Sequence, residues 1–346
     1  MIVRCEFPIV REVSSMSAQL SRDLVDFICS AAHDGCSDLH LEVFPEGAYW
    51  RGRVLGKLIR RSRLTPAQAT RIIAALKTAA GMDTTERRLP QDGRLRVSGA
   101  TLEVDCRLNT LATLHGEKIV LRLQVRGERA LPLTALGLMP PQLQRIRSNL
   151  TRSEGLILVT GPTGSGKTRT LYAMLQTLDT QKLNISTVED PVEIALTGIN
   201  QVPIRTAVGM DFAVALRAML RQDPDVLMIG EIRDAETAHI ACQAAQTGHL
   251  VLATLHASHP LSAVVRLQQL GVERYQLAAC LNLLINQRLH VIQGRRQGVF
   301  TLCEGDGAFA EALLGGPAQL ESWKDVPAYG NAAETAQRQY VLELGS

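Results

Sequence analysis

The chain has 346 residues, 46% of them hydrophobic but only 4% aromatic, and a formal net charge of +3. That length holds two or three domains with aliphatic cores, and near-neutral charge with few stacking platforms argues against a dedicated nucleic-acid binder. The seven cysteines, Cys5, Cys29, Cys36, Cys106, Cys242, Cys280 and Cys303, form no C-x-x-C pair, which argues for a reducing cytosol and against a zinc ribbon or a disulfide frame.

Charges at Arg4, Glu6, Arg11 and Glu12 come too early for a secretory signal. No uncharged apolar run reaches the roughly 18 residues of a membrane span. The first part, 1–126, reads as a small α/β domain. An amphipathic helix is expected over 17–34, with Leu20, Leu24, Ile28 and Ala31 on one face. A second is expected over 65–80, with Thr65 as cap, Pro66 at the first turn and Gly81 as stop. Antiparallel strands are expected at Asp38–Val43, Tyr49–Leu58, Arg94–Val97, Thr101–Leu108 and Lys118–Val125. Residues 127–142, with Pro132, Pro140 and Pro141, read as a linker.

From 143 to 305 strands and helices alternate. Strands are expected at Gly155–Thr160, Leu183–Val188, Val226–Ile229 and Leu250–Thr254, with helices over 211–222 (cap Asp211) and 234–247 (cap Asp234, stop Gly248). The alternation predicts a doubly wound, mostly parallel sheet. The tail, 306–346, is rich in Gly and Ala and reads as partly helical.

At the end of the first of these strands the chain reads Gly161-Pro162-Thr163-Gly164-Ser165-Gly166-Lys167-Thr168, the G-x-x-x-x-G-K-[ST] phosphate loop. Glycines let backbone N–H groups curl around a phosphate. Lys167 can reach the β- and γ-phosphates, and the Thr168 hydroxyl can ligate Mg²⁺. The helix that follows, with Leu171, Met174, Leu175 and Leu178 at helical spacing, adds its positive N-terminal end.

Cleaving a γ-phosphate also needs an oriented water and charge neutralisation. Glu189 and Asp190 at a strand exit suit a Mg²⁺–water shell; an Asp before Pro191 is equally a helix cap. Glu231, delivered by the strand 226–229, can polarise a water, while the residue before it is Gly230 where a Walker B motif usually has an acid. His249 and His256 flank the strand at 250–254 and can sense a γ-phosphate by hydrogen bond, or serve as structural groups. Finally Arg51, Arg53, Lys57, Arg60, Arg61 and Arg63 form a basic run with no acid between them, either a DNA or lipid patch or a solvated or protein-facing surface.

Together and in this order, these segments resemble the secretion-superfamily ATPases of type II secretion and type IV pilus assembly. GPTGSGKT at 161–168 is similar to the family's Walker A, STVEDPVE at 186–193 to its Asp box, LRQDPDVLMIGEIRD at 220–234 to its Walker B and TGHLVLATLHAS at 247–258 to its His box. DGCSDLHLEV at 34–43, ERRLPQDGRLRV at 86–97 and VDCRLNTLATLHGEKIVLRL at 104–123 resemble its N2 domain, and INQRL at 285–289 the segment after the His box. The resemblance covers about residues 10–290.

The resemblance implies a RecA-like P-loop NTPase domain preceded by a small PAS-like α/β N2 domain. It implies ATP and Mg²⁺ as ligands, Glu231 as the catalytic Glu, Glu189 and Asp190 as Asp-box acids, and Arg107 and Arg122, with Arg94 as a third candidate, as arginines reaching phosphate from the N2 side. Arg217, Arg221 and Arg233 match arginines around the Walker B segment. A homo-hexameric ring is implied, cytoplasmic and peripheral at the inner membrane through a platform protein, powering assembly of pilus or secretion pseudopilus fibres. DNA-uptake or conjugative motors, and nucleotide-binding subunits without turnover, are the related alternatives.

The chain departs from the pattern in places. No four-cysteine zinc insert follows the QRL segment, so no zinc site is expected, and no N1 domain is expected either. The family's usual R-x-D-G reads Arg53-Val54-Leu55-Gly56, without the acid.

Overall fold

The computed structural model describes residues 20–127, 129–292 and 295–315. The chain divides into two compact units, Met1–Glu128 and Arg129–Ser346. Among the described residues no helix is long and apolar enough to cross a membrane.

The first unit runs α1 (Arg22–His33), β1 (Cys36–Phe44), β2 (Gly47–Val54), β3 (Lys57–Leu64), α2 (Pro66–Ala79), β4 (Gln91–Ser98), β5 (Glu103–Thr113) and β6 (Gly116–Val125). Its antiparallel sheet has the order β3-β2-β1-β6-β5-β4. Ser21 caps α1 by accepting from the Leu24 N–H, and Thr65 and Gln68 form a reciprocal capping box at α2. Alternation along the strands puts Leu39, Leu41, Cys106, Leu108, Ile119 and Leu121 on one face, packed with the two helices in a single core. The expected strand Tyr49–Leu58 is instead broken at Leu55 (φ 50°) and Gly56 (φ 84°). Two successive positive-φ residues make a tight hairpin turn, so the basic run lies on β2 and β3 rather than on one strand and a loop.

The second unit opens with a short 3₁₀ turn at Leu133–Ala135 and α3 (Pro140–Leu150). Then follow β7 (Gly155–Thr160), α4 (Lys167–Leu175), β8 (Ile185–Glu189), β9 (Asn200–Pro203), α5 (Phe212–Met219), β10 (Val226–Ile229), α6 (Ala235–Gln246) and β11 (Leu250–Leu255). The described residues end with α7 (Pro260–Gln269), α8 (Arg274–Cys280), β12 (Leu281–Ile292), β13 (Arg295–Glu304) and α9 (Gly307–Gly315). The sheet order is β13-β12-β7-β11-β10-β8-β9. All neighbours are parallel except β12 and β13, which form a hairpin at one edge. One core holds α5, α6 and α8 residues with one sheet face, and a second holds α4 residues with the other. This is the doubly wound, RecA-like arrangement.

Residues 133–138, within the expected linker, belong to this unit: Leu133, Leu136 and Leu138 are buried with Leu171 and Tyr172 of α4. Burial of three leucines ties the segment down, whatever its prolines suggest. In the tail, α9 buries Phe309 and Leu313; residues 316–346 lie outside the described residues. β9, β12 and β13 were not among the expected strands.

Candidate nucleotide-binding site

β7 is buried along its whole length and ends in the phosphate loop. Gly161 (φ 149°), Gly164 (φ 78°) and Gly166 (φ 87°) take backbone conformations that favour glycine. A Cβ on Gly161 would stand 2.2 Å from the Gln287 carbonyl and 2.6 Å from Ser165 Oγ. The loop is therefore a close-walled cradle that only glycine permits at that position. Ser165 Oγ is buried without a hydrogen-bond partner. Lys167 is folded over the loop, its Nζ donating to the carbonyls of Gly161 and Pro162, each at 3.1 Å. Burial lowers the Lys167 pKa, while the Glu231 carboxylate raises it. A buried ammonium held by two neutral carbonyls gains from an anion in front of it. Thr168 follows in the first turn of α4, where its hydroxyl would hold a Mg²⁺ beside a bound nucleotide.

In a parallel sheet, all strand C-terminal ends lie on one edge. The order β7-β11-β10-β8 thus lines up the phosphate loop, His256, Glu231 and Asp190. Glu231 is fixed on both sides: His256 Nε2 lies 3.1 Å from Oε1 and Arg233 Nε donates to Oε2 at 2.9 Å. Arg233 Nη1 also lies 3.5 Å from Asp190 Oδ2. Gly230 answers the missing Walker B acid. A Cβ there would stand 3.1 Å from the Val188 carbonyl, and its own carbonyl accepts from the Thr254 hydroxyl. The backbone there packs closely against β8, so a side chain would need β8 to give by a few tenths of an ångström.

Two expected residues behave differently. Glu189 is 2% exposed, and both its oxygens are used inside the fold. The Tyr172 hydroxyl donates to Oε2, while Thr187 Oγ1 (2.6 Å) and Gln201 Nε2 (3.0 Å) donate to Oε1. Burial and this carboxylate push the Tyr172 hydroxyl well above its ordinary pKa. Glu189 therefore braces α4 from behind instead of facing a metal–water shell. His249 precedes β11, whose first residue Leu250 pairs with Gly155 while its last, Leu255, pairs with Thr160. At roughly 3.3 Å per residue, His249 sits about 20 Å from the phosphate-loop edge, its Nδ1 3.1 Å from the Ala244 carbonyl. Within one chain it cannot sense a phosphate in that loop.

Arg107 and Arg122 lie in the first unit. Register places Arg94, Arg107, Arg122, Asp38 and Arg53 in one row across β4, β5, β6, β1 and β2, on the face away from the helices. Arg122 Nε donates to Asp38 Oδ1 at 3.3 Å. Among the basic run, Arg51 binds Glu42, Arg53 and Arg61 pair with Asp38 and Asp34, Arg63 donates to the Glu46 carbonyl and Arg60 lies over Tyr49. Three of these six cations, Arg51, Arg53 and Arg61, thus meet acids within the unit. Gln287, which lies against the phosphate loop, and Asn286, bonded to Thr160 just before it and to Ala257, were not assigned by motif reasoning; the resemblance of the INQRL segment was their only signal.

The chain matches the family model described as "Type II/IV secretion system protein" over residues 14–300. It is 47% identical over 283 residues to the type IV pilus assembly ATPase PilB of Pseudomonas aeruginosa, covering 82% of this chain and 48% of that one. It is 46% identical over 284 residues to the type II secretion system protein HxcR of the same organism, covering 82% and 58%. The chain thus spans about half the length of the curated relatives it matches. Among solved structures, the pilus retraction motor PilT with bound ADP superposes with a TM-score of 0.67 at 29% identity, covering 93% of both chains. The Legionella pneumophila ATPase DotB shares the fold, with a TM-score of 0.78 at 23% identity over 96% of this chain and 94% of that one. Phosphate loop, acidic strand tips and family match agree: the chain belongs to the type II/IV secretion system protein family of secretion-superfamily ATPases.

Proposed function

We propose that this chain binds and hydrolyses ATP as a motor for assembling type IV pilus or type II secretion pseudopilus fibres. The observation that carries the reading is one edge of one sheet: the phosphate loop with Lys167, and Glu231 held by His256 and Arg233 at the ends of neighbouring strands. The names of the relatives supply the fibre-assembly setting. Backbone N–H groups of 161–168 and Lys167 bind the β- and γ-phosphates. Glu231 takes a proton from the attacking water as its oxygen bonds to the γ-phosphorus and the bond to the β–γ bridging oxygen breaks, leaving ADP and phosphate. Mg²⁺, held through Thr168 and the nucleotide, would neutralise phosphate charge. His256, which lies 3.1 Å from Glu231, would report whether the γ-phosphate is present. A homo-hexameric ring, a cytoplasmic place beside the inner membrane and a membrane platform protein as partner belong to the same reading.

The test is Mg-ATPase activity measured together with mass in solution. Turnover by a six-subunit species that Glu231→Gln abolishes, with retained ATP binding, supports it. Nucleotide binding without turnover in an assembled ring overturns it.

A further inference from the structure

β12 pairs with β7 up to Asn286, opposite Thr160, and then runs on past the end of β7. The next residue, Gln287, therefore stands against the phosphate loop rather than against a strand. Its side chain is 3% exposed, and both ends of its amide are used. Nε2 donates to the Ser165 carbonyl at 2.7 Å, and Oε1 accepts from the Thr170 hydroxyl at 2.6 Å. A neutral amide is suited to this pair: a carboxylate has no donor for the carbonyl, and a hydrocarbon has neither function. The position Cβ would take on Gly166 is 3.0 Å from Nε2, so the amide is seated on the loop itself.

We infer that Gln287 is a positioning residue for phosphate binding, turning the Ser165–Gly166 peptide so that its N–H faces the phosphate hollow. A trans peptide carries its C=O and N–H on opposite sides. Drawing the Ser165 carbonyl to β12 therefore points the Gly166 N–H away from β12. Thr170 ties the same amide to the first turns of α4, so loop and helix N-terminus keep one geometry. Asn286, on the other face of β12, binds Thr160 Oγ1 at 3.0 Å and the Ala257 carbonyl at 3.3 Å. One strand thus braces both the phosphate loop and the segment beyond His256. The inference rests on the nucleotide reading above.

The test uses the full chain and displacement of a fluorescent ADP analogue, by inorganic pyrophosphate and separately by adenosine. Gln287→Leu is expected to weaken pyrophosphate about tenfold, the loss of one well-placed hydrogen bond, and to change adenosine less than about twofold. Thr170→Val, which removes only the hydroxyl that anchors the amide, is expected to weaken pyrophosphate about threefold, and it decides the matter by the same comparison if Gln287→Leu does not fold. Unchanged pyrophosphate affinity, or equal losses for pyrophosphate and adenosine, overturns the inference alone. A wild-type chain that fails to bind the analogue overturns the nucleotide reading and the inference with it.

Discussion

Lys167 and Glu231 divide the chemistry of the site between them. Lys167 gives up hydration to fold over the loop, where its ammonium donates to the neutral carbonyls of Gly161 and Pro162; a phosphate is the better partner. Lys167→Ala is expected to lower kcat/KM for ATP by roughly 10²–10³-fold, as loss of a preorganised cation does, in a coupled ADP-release assay. Glu231→Gln keeps the shape and the contact to Arg233 but cannot accept a proton. Its kcat is expected to fall by roughly 10²–10⁴-fold, with ATP affinity within about threefold of wild type by fluorescence titration. Gly230 shows how one residue's space constrains chemistry. The acid position usual in a Walker B motif is taken up here by backbone packed against β8, so the acidic work falls on Glu231 and its neighbours.

At the level of elements, two buried carboxylates hold strands and helices in place. Glu189 receives donors from α4, β8 and β9 at once. Glu189→Gln replaces one acceptor by a donor facing other donors, and is expected to cost about 1–3 kcal/mol in urea unfolding. In the first unit Glu42 accepts from Arg51 Nε at 2.6 Å and lies 2.9 Å from Lys118 Nζ. Burial works to raise its pKa, but hydrogen bonds from Arg51 and Lys118 bring it down to about 2 from an ordinary 4.5. A lowered carboxylate pKa means stability that is present above the unfolded value and lost as pH falls through the folded one. Thermal unfolding should therefore show the wild type losing stability between about pH 4.5 and 2, and Glu42→Gln, already without the pair, losing less over that window. The caps were visible in the sequence, because Asp211, Asp234 and Thr65 act on N–H groups three residues away. The β2–β3 hairpin was not, since Leu55 carries no turn signal of its own and tertiary pairing of β3 forces its positive φ.

Across the whole molecule, sheet polarity separates the two histidines that the sequence treats alike. His256 follows β11 at the phosphate-loop edge and His249 precedes it at the other. His256→Ala is expected to lower kcat about tenfold, as loss of one hydrogen bond to the reacting group, and His249→Ala to leave it within about twofold; steady-state kinetics on the two variants checks this. Legible in the residues alone were the phosphate loop, the strand that carries Glu231, the alternation of strands and helices in the second unit and the family. Each is written in contiguous residues whose spacing alone sets local geometry. The three-dimensional fold was needed to show that Glu189 braces α4, that residues 133–138 join the second core, that half of the basic run meets neighbouring acids and that β12 backs the phosphate loop. Those outcomes depend on which distant segments pair and which edge of the sheet a residue reaches, and strand order and direction are set by packing the whole chain rather than by any local pattern.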